Sequence, residues 1–391
     1  MREGWNTYKL GSFCDFQGGS QPPKGEWIKS PKEGYVRMLQ IRDFTKSRDF
    51  DIEYVRITDK LRLCKKDDIL IGRYGASVGK ILTGLAGAYN VAIIKTIPDE
   101  SIVCKPFLRR VLEAPGFQEL LGKVSTQRTA QAGFSKEDIA DYEVNLPSLP
   151  EQQRIVDILD REFAKIDALK ANAEKSLQAA KDLFQATLKR ELEPKEGWKR
   201  KQIGDLCEIY NGGTPSTSIT SYWDGGIQWI TPKDMGKSKE MYVAQCERTI
   251  TKEGVEHSSA KVLPVRSVIV SSRAPIGYVA INSVPMATNQ GCKGFIPGKE
   301  LYPEFLYYFF LSSTELLNKL GTGATFKEVS GRKLAEISLD YPAIERQQEI
   351  ASHILSLSHS CSILQQNYQK TLTLCDDLKQ SLLRKAFNGE L

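Results

Sequence analysis

Between residues 350 and 382, apolar or small side chains fall at Ile350, Ile354, Leu357, Cys361, Leu364, Tyr368, Thr371, Cys375, Leu378 and Leu382, in alternating steps of four and three. A stripe with that period is the seam along which one α-helix packs on another in a coiled coil. The same register runs through Ile155, Leu159, Ile166, Leu169, Ala173, Ala180 and Leu183, weakened at Glu162 and Ser176. Pro150 with Glu151 suits a helix start, and Pro194 or Gly389 a stop. The pattern predicts two helices of ~40 residues, each ~60 Å long, longer than the domain it would leave.

The two helices are copies of one another. Gln152 to Leu192 aligns with Gln347 to Phe387 without a gap, and 11 of the 41 positions are identical, among them Gln152, Gln153, Ile155, Leu169 and Leu183. The segments ahead of the helices correspond more loosely. "DFQGGSQP" from Asp15 resembles "EIYNGGTP" from Glu208, "AYNVAIIKTIP" from Ala88 parallels "ATNQGCKGFIP" from Ala287, and "QELLGKV" from Gln118 parallels "TELLNKL" from Thr314. The layout is therefore a block over 1–149, a helix over 150–194, a second block over 195–343 and a second helix over 344–391. The blocks diverge far more than the helices, so whatever the halves share resides in the helices.

One stretch of the first block, "ILIGRYGASVGKI" from Ile69, imitates a phosphate-binding loop. Its glycines are one residue too close, and Ile81 stands where a hydroxyl side chain should hold magnesium. The matching "SVIVSSRAPIGYVAI" from Ser267 has no lysine at all. What both retain is a β-strand ending in a turn with an arginine, and alignment on the strand puts Arg73 opposite Ser272 and Tyr74 opposite Arg273. No other enzymatic motif survives inspection. "QPPK" at Gln21 lacks the acid and aromatic of an amino-methyltransferase loop, "PDESIVCK" at Pro98 lacks nuclease spacing, and the three histidines (His257, His353, His359) suit no catalytic dyad.

Composition narrows the class further. The longest apolar run, "FLYYFFL" from Phe305, is far below the ~18 residues of a membrane span, and nothing near residue 1 argues for export, so a cytoplasmic, membrane-free protein is expected. The eight cysteines are scattered with no paired spacing, which favours reduced thiols over zinc. Of the net charge of +6, the excess lies in the blocks: 23 Lys and Arg against 19 Asp and Glu over 1–149, and 18 against 15 over 195–343. Two mildly basic blocks suit a polyanionic partner.

Two blocks that each open near "GW", each carry a strand and turn like "DDILIGRYGASVG", and each close in "LPSLPEQQRI" or "YPAIERQQEI" before a long helix resemble the DNA-specificity subunit of Type I restriction–modification systems. The resemblance covers essentially the whole chain and is most specific at the "PEQQRI" junctions. It implies an α+β architecture of two α/β target-recognition domains joined by two long antiparallel coiled-coil helices with an internal pseudo-two-fold repeat. It further implies a non-catalytic reader of a split, asymmetric site in double-stranded DNA, docking two methyltransferase subunits and joined by restriction subunits. No cofactor would be bound by this chain; S-adenosylmethionine, ATP and magnesium would belong to its partners. The competing readings are a coiled-coil adaptor with RNA- or protein-binding blocks, and a catalytic subunit with degenerate motifs.

Within such blocks, phosphate contacts come from Lys, Arg, Ser and Thr in turns, and base reading from Arg to guanine or Asn and Gln to adenine. The candidates in the first block are Arg37, Gln40, Arg42, Arg73, Tyr74, Lys80, Gln127 and Arg128. In the second they are Trp229, Thr231, Lys233, Ser271, Ser272, Arg273, Lys293, Thr325 and Lys327. Trp229 and Tyr74 are equally candidates for core aromatics. Asn90 and Asn289 occupy matching positions and read as turn-forming, and the pairs Gly18-Gly19 and Gly212-Gly213 as turn glycines.

Overall fold

A computed structural model describes residues 4–45, 52–127, 133–238, 240–322 and 327–391. Two compact units emerge, one of residues 1–174 with 369–391, the other of residues 175–368. Each unit thus takes in one block and a part of each long helix.

In the first unit, the fully buried strand Leu70–Gly72 sits inside a four-stranded antiparallel sheet in the order Cys14–Gly18, Ile93–Pro98, Leu70–Gly72, Ile81–Leu82. A second four-stranded sheet runs Tyr54–Arg56, Tyr35–Leu39, Gly87–Tyr89, Leu63–Cys64, with its central pair parallel. Helices Lys105–Glu113 and Pro115–Gln127 follow. The main core joins Phe107, Leu108, Val111, Phe117 and Phe134 to Ile155 and Leu159 of one long helix and to Leu383 and Ala386 of the other.

The second unit repeats this plan strand for strand. Its sheets run Cys207–Asn211, Cys292–Pro297, Val268–Ser271, Val279–Asn282, and Thr249–Ile250, Trp223–Ile230, Met286–Thr288, Val262–Leu263. A short strand, Tyr242–Val243, is added in parallel at the Val279–Asn282 edge. The helix Pro303–Ser312 accounts for "FLYYFFL": Phe305, Leu306, Tyr308 and Phe310 are buried in a core with Leu188, Ile350 and Ile354. Among the described residues, no helix is long and apolar enough to cross a membrane.

The false phosphate loop is a hairpin. Leu70 and Ile71 pair antiparallel with Leu82 and Ile81, and Gly79 donates its amide to Gly72 O at 3.0 Å. Because an antiparallel strand follows the turn where a phosphate loop needs a helix, no amide cradle forms. The second unit closes the same hairpin through Gly277 N and Ser271 O at 3.1 Å. Arg73 N and Ser272 N donate to the equivalent carbonyls of Ala92 and Gly291, so the alignment of Arg73 with Ser272 holds.

Both long helices form, over Leu149–Glu191 and Ile344–Phe387. The second ends where Gly389 turns to φ +76°, with Glu390 N bonded back to Lys385 O at 2.9 Å, the left-handed stop that glycine favours. They run antiparallel within each unit: Lys170 meets Asp376 at 2.6 Å in the first, and His353 lies 3.5 Å from Glu191 in the second. The seam is narrower than its periodicity suggests. Buried positions recur every seventh residue at Leu159, Ile166, Ala173, Ala180 and Thr187, and on one heptad position at Ile354, Cys361 and Cys375, with the half-buried Tyr368 between the last two, whereas Leu169, Leu183, Leu364 and Leu378 are 52, 50, 41 and 49% exposed. An apolar period identifies one side of a helix, not whether a neighbour covers all of it.

The double-glutamine junction has a physical explanation. Gln152 is completely buried, accepts Cys104 N at 2.9 Å, and donates to Ile102 O at 2.9 Å and Pro147 O at 3.0 Å. Gln347 repeats the arrangement, accepting Tyr302 N at 2.8 Å and donating to Glu300 O and Pro342 O at 2.8 and 2.9 Å. One amide side chain satisfies three backbone groups that burial would otherwise orphan, and so pins each helix start to its block.

Candidate nucleic-acid interface

In each unit the second sheet's parallel strand turns directly into a short helix, and this corner gathers the candidate polar side chains. Strand Tyr35–Leu39 leads through Gln40 into helix Ile41–Thr45. Asp43 accepts Gln40 N at 2.7 Å and Arg37 Nη2 at 2.8 Å. Glu53, just before the neighbouring strand, accepts Lys24 Nζ at 2.7 Å, Arg42 Nη2 at 2.7 Å and Gln40 Nε2 at 3.1 Å. Burial pushes the Glu53 carboxyl up, but Lys24 and Arg42 outweigh it and hold the group below its ordinary value. Arg37, Gln40 and Arg42 therefore stand together, each tied to a carboxylate.

The second corner is built alike from different residues. Strand Trp223–Ile230 leads through Thr231 into helix Pro232–Lys237. Thr231 caps that helix: its hydroxyl accepts Asp234 N at 3.3 Å, and Asp234 accepts Thr231 N at 2.9 Å, a reciprocal cap that ties up the hydroxyl. Lys233 and Lys237 donate to Glu247 at 3.1 and 2.7 Å. These two lysines hold the Glu247 carboxyl down at about 2. Lys233, Lys237, Pro275 and Tyr278 line one shallow cleft, so the corner adjoins the Arg273 turn.

At the hairpin turns the outcome is mixed. Arg73 Nε donates to Phe134 O at 2.8 Å, with its guanidinium 5.1 Å from the Tyr74 ring. Both are half-buried, and Lys80 is exposed. Arg273 pairs with Glu328 at 2.9 Å and remains 44% exposed. Lys327 is exposed. Four expected contacts face inward instead. Trp229 is buried, packs edge-on against Trp223 at 5.1 Å and donates to Gly213 O at 2.9 Å. Ser271 donates to Pro275 O at 2.8 Å and Ser272 to Gly291 O at 3.2 Å, both from the interior. Lys293 is buried, 3.5 Å from Glu328. Strand Val268–Ser271 is buried at every position, and Cys292–Pro297 at its first four, so position after an apolar run did not mean exposure. Arg128 and Thr325, and the Gln127 side chain, lie outside the described residues.

The asparagines behave as turn residues: Asn90 Oδ1 accepts Ala92 N at 3.2 Å and Asn289 Oδ1 accepts Gly291 N at 2.9 Å. The glycines do not serve as turns. A Cβ at Gly19 or Gly212 would lie 2.0 or 1.8 Å from the carbonyl oxygen of Asn90 or Asn289, so these are points of close backbone approach. Sequence reasoning missed Lys24, Glu53, Lys237, Glu247 and Arg248, whose guanidinium lies 3.5 Å over Trp223. No sequence signal singled out the two acids: Glu53 follows Arg42 by 11 residues with Asp43, Asp49 and Asp51 between, and Glu247 follows Lys233 by 14 with Asp234 and Glu240 between.

The family model described as Type I restriction modification DNA specificity domain matches twice, at residues 2–179 and 195–374. The Type I restriction enzyme MjaIX specificity subunit of Methanocaldococcus jannaschii is 44% identical over 161 residues, 41% of this chain and 37% of that protein. The EcoR124I/EcoR124II specificity subunit of Escherichia coli is 34% identical over 213 residues, 52% of this chain and 50% of that one. The chain thus spans half or less of the length of these relatives. A chain from a structure of type I R-M complex assembly and conformational transition superposes with a TM-score of 0.81 at 18% identity, covering 100% of this chain and 99% of that one. The HsdS subunit from Thermoanaerobacter tengcongensis gives 0.59 at 18% identity, covering 100% and 98%; both likenesses concern the fold. With the model matching most of the chain in two copies, the chain belongs to the Type I restriction modification DNA specificity family.

Proposed function

We propose that the chain is the non-catalytic specificity subunit of a Type I restriction–modification complex. The blocks over 1–149 and 195–343 are its target-recognition domains, each reading one half of a split duplex site. The helical segments over 150–194 and 344–391 serve as the spacer. The observation that carries this reading is the pair of corners, alike in backbone and different in side chains: Arg37, Gln40 and Arg42 in one, Lys233 and Lys237 beside the capping Thr231 in the other. Arg and Gln side chains read guanine and adenine edges by paired hydrogen bonds, and the surrounding lysines meet phosphate. Two different sets on one scaffold suit an asymmetric target.

Docking of two methyltransferase subunits is supported by the leucines left uncovered on the long helices. Leu169 and Leu183 are the repeat equivalents of Leu364 and Leu378, and all four are exposed, so each helix leaves apolar side chains uncovered at matching repeat positions. Restriction subunits would join this core in the cytoplasm, and S-adenosylmethionine, ATP and magnesium would act in the partners.

The test is an exchange of residues 1–149 for the corresponding block of another specificity subunit, read by sequencing methylated DNA from cells. One half of the methylated site should change and the other persist; a change in both halves, or in neither, contradicts the assignment. An RNA- or protein-binding adaptor would leave the methylation pattern untouched.

A further inference from the structure

Each corner carries a carboxylate among the very cations a DNA strand would need. Glu53 bridges Lys24 and Arg42, both at 2.7 Å, and also accepts Gln40. Glu247 bridges Lys233 and Lys237 at 3.1 and 2.7 Å. The two acids hold the same place in the fold. Glu53 directly precedes strand Tyr54–Arg56, and Glu247 lies two residues before Thr249–Ile250; each of those strands pairs antiparallel with its corner strand. Around them the sequences "RDFDIEYVR" and "VAQCERTI" have little in common. A two-cation bridge in the same position of two diverged blocks is a repeated device rather than an incidental surface pair.

A carboxylate in that position competes with phosphate. Binding of any duplex is driven by exchanging counterions for Lys and Arg contacts, and here the counterion is part of the protein, present at high effective concentration. Backbone phosphate alone must displace Glu53 or Glu247 before it can engage the cations. A cognate half-site offers base-edge hydrogen bonds to Gln40 and Arg42 in addition, which offset that displacement.

We propose that Glu53 and Glu247 are specificity-determining residues that suppress binding to non-cognate DNA by occupying Lys24 and Arg42, and Lys233 and Lys237, until a matching half-site displaces them. This rests on the DNA-reading function proposed above. Its prediction is unusual in direction: removing the acid raises affinity for the wrong DNA.

The experiment uses the intact complex purified through this chain, carrying Glu247→Gln, Glu53→Gln or both. Affinity is measured against the natively methylated target and a random duplex across a salt series. Releasing Lys233 and Lys237 permits up to two further phosphate contacts, so the salt slope of Glu247→Gln on random duplex should steepen by about 1–2, and that of Glu53→Gln, which releases Lys24, by about 1. The ratio of target to random affinity should fall about tenfold or more. Glu247 is half-exposed, at 49% of its side chain, so its variant tests the idea even where Glu53→Gln impairs folding. Adding Lys233→Gln and Lys237→Gln to Glu247→Gln should abolish the gain. An unchanged slope overturns the inference, as does loss of affinity confined to the native target, which would make the carboxylate a reader of a base amino group. If the unmodified complex itself fails to distinguish target from random duplex, the DNA-reading proposal fails instead.

Discussion

Replacing Gln152 with leucine, close in size and without an amide, removes three hydrogen bonds at the start of the first long helix while leaving the volume filled. The orphaned groups are Cys104 N, Ile102 O and Pro147 O. A typical intramolecular hydrogen bond contributes about 1 kcal/mol net, and a buried group left without a partner costs about 1–3 kcal/mol. Three such bonds set the loss at roughly 3 kcal/mol or more. The neighbouring Gln153 is exposed and its side chain donates to Asp157 at 2.8 Å on the helix surface, so Gln153→Leu should fall within about 0.5 kcal/mol of the parent. Urea denaturation of the two variants, followed by tryptophan fluorescence and by circular dichroism, makes the comparison, with each transition fitted separately because the two units need not unfold together. At a urea slope of about 1–3 kcal/mol/M, the transition that includes the first unit should move down by about 1 M or more in Gln152→Leu and hardly at all in Gln153→Leu. Equal midpoints for the two variants would refute the role assigned to the junction. Gln347→Leu should act the same way on the second unit.

Gly212→Ala should lower the thermal midpoint markedly, since its Cβ would meet Asn289 O at 1.8 Å and overpacking of this kind costs about 1–3 kcal/mol; Gly25→Ala, with nothing within 4 Å, is the control, and equal midpoints would count against the close-approach reading. The Glu247 carboxyl should titrate near about 2 because Lys237 and Lys233 donate to it. Its folded-state pKa is depressed, so the pairing stabilises the folded chain above the ordinary glutamate range and is lost as pH falls through about 2. Carbon-13 NMR with Glu247→Gln for assignment reads this directly, and a midpoint above 4 contradicts the bridge.

Much was legible in the residues alone. The two long helices, the duplication, the glycine stop at Gly389, the equivalence of Arg73 with Ser272 and the turn role of Asn90 and Asn289 all follow from period, repeat and local backbone chemistry. Those are near-neighbour properties: a heptad stripe, a left-handed glycine or an Asx turn is decided within a few residues. What the linear pattern left open was covering. Trp229, Ser271, Ser272 and Lys293 have the side chains of a contact surface and lie inside, while Leu169, Leu183, Leu364 and Leu378 belong to an apolar stripe and face outward. Nor could spacing pair Glu53 with Lys24, 29 residues away, or Glu247 with Lys233, 14 away. The chain alone determined which elements form and that they form twice. Which of their faces stay open, and which charges meet, depended on contacts between residues distant in sequence, and those exist only once the sheets have closed over their cores.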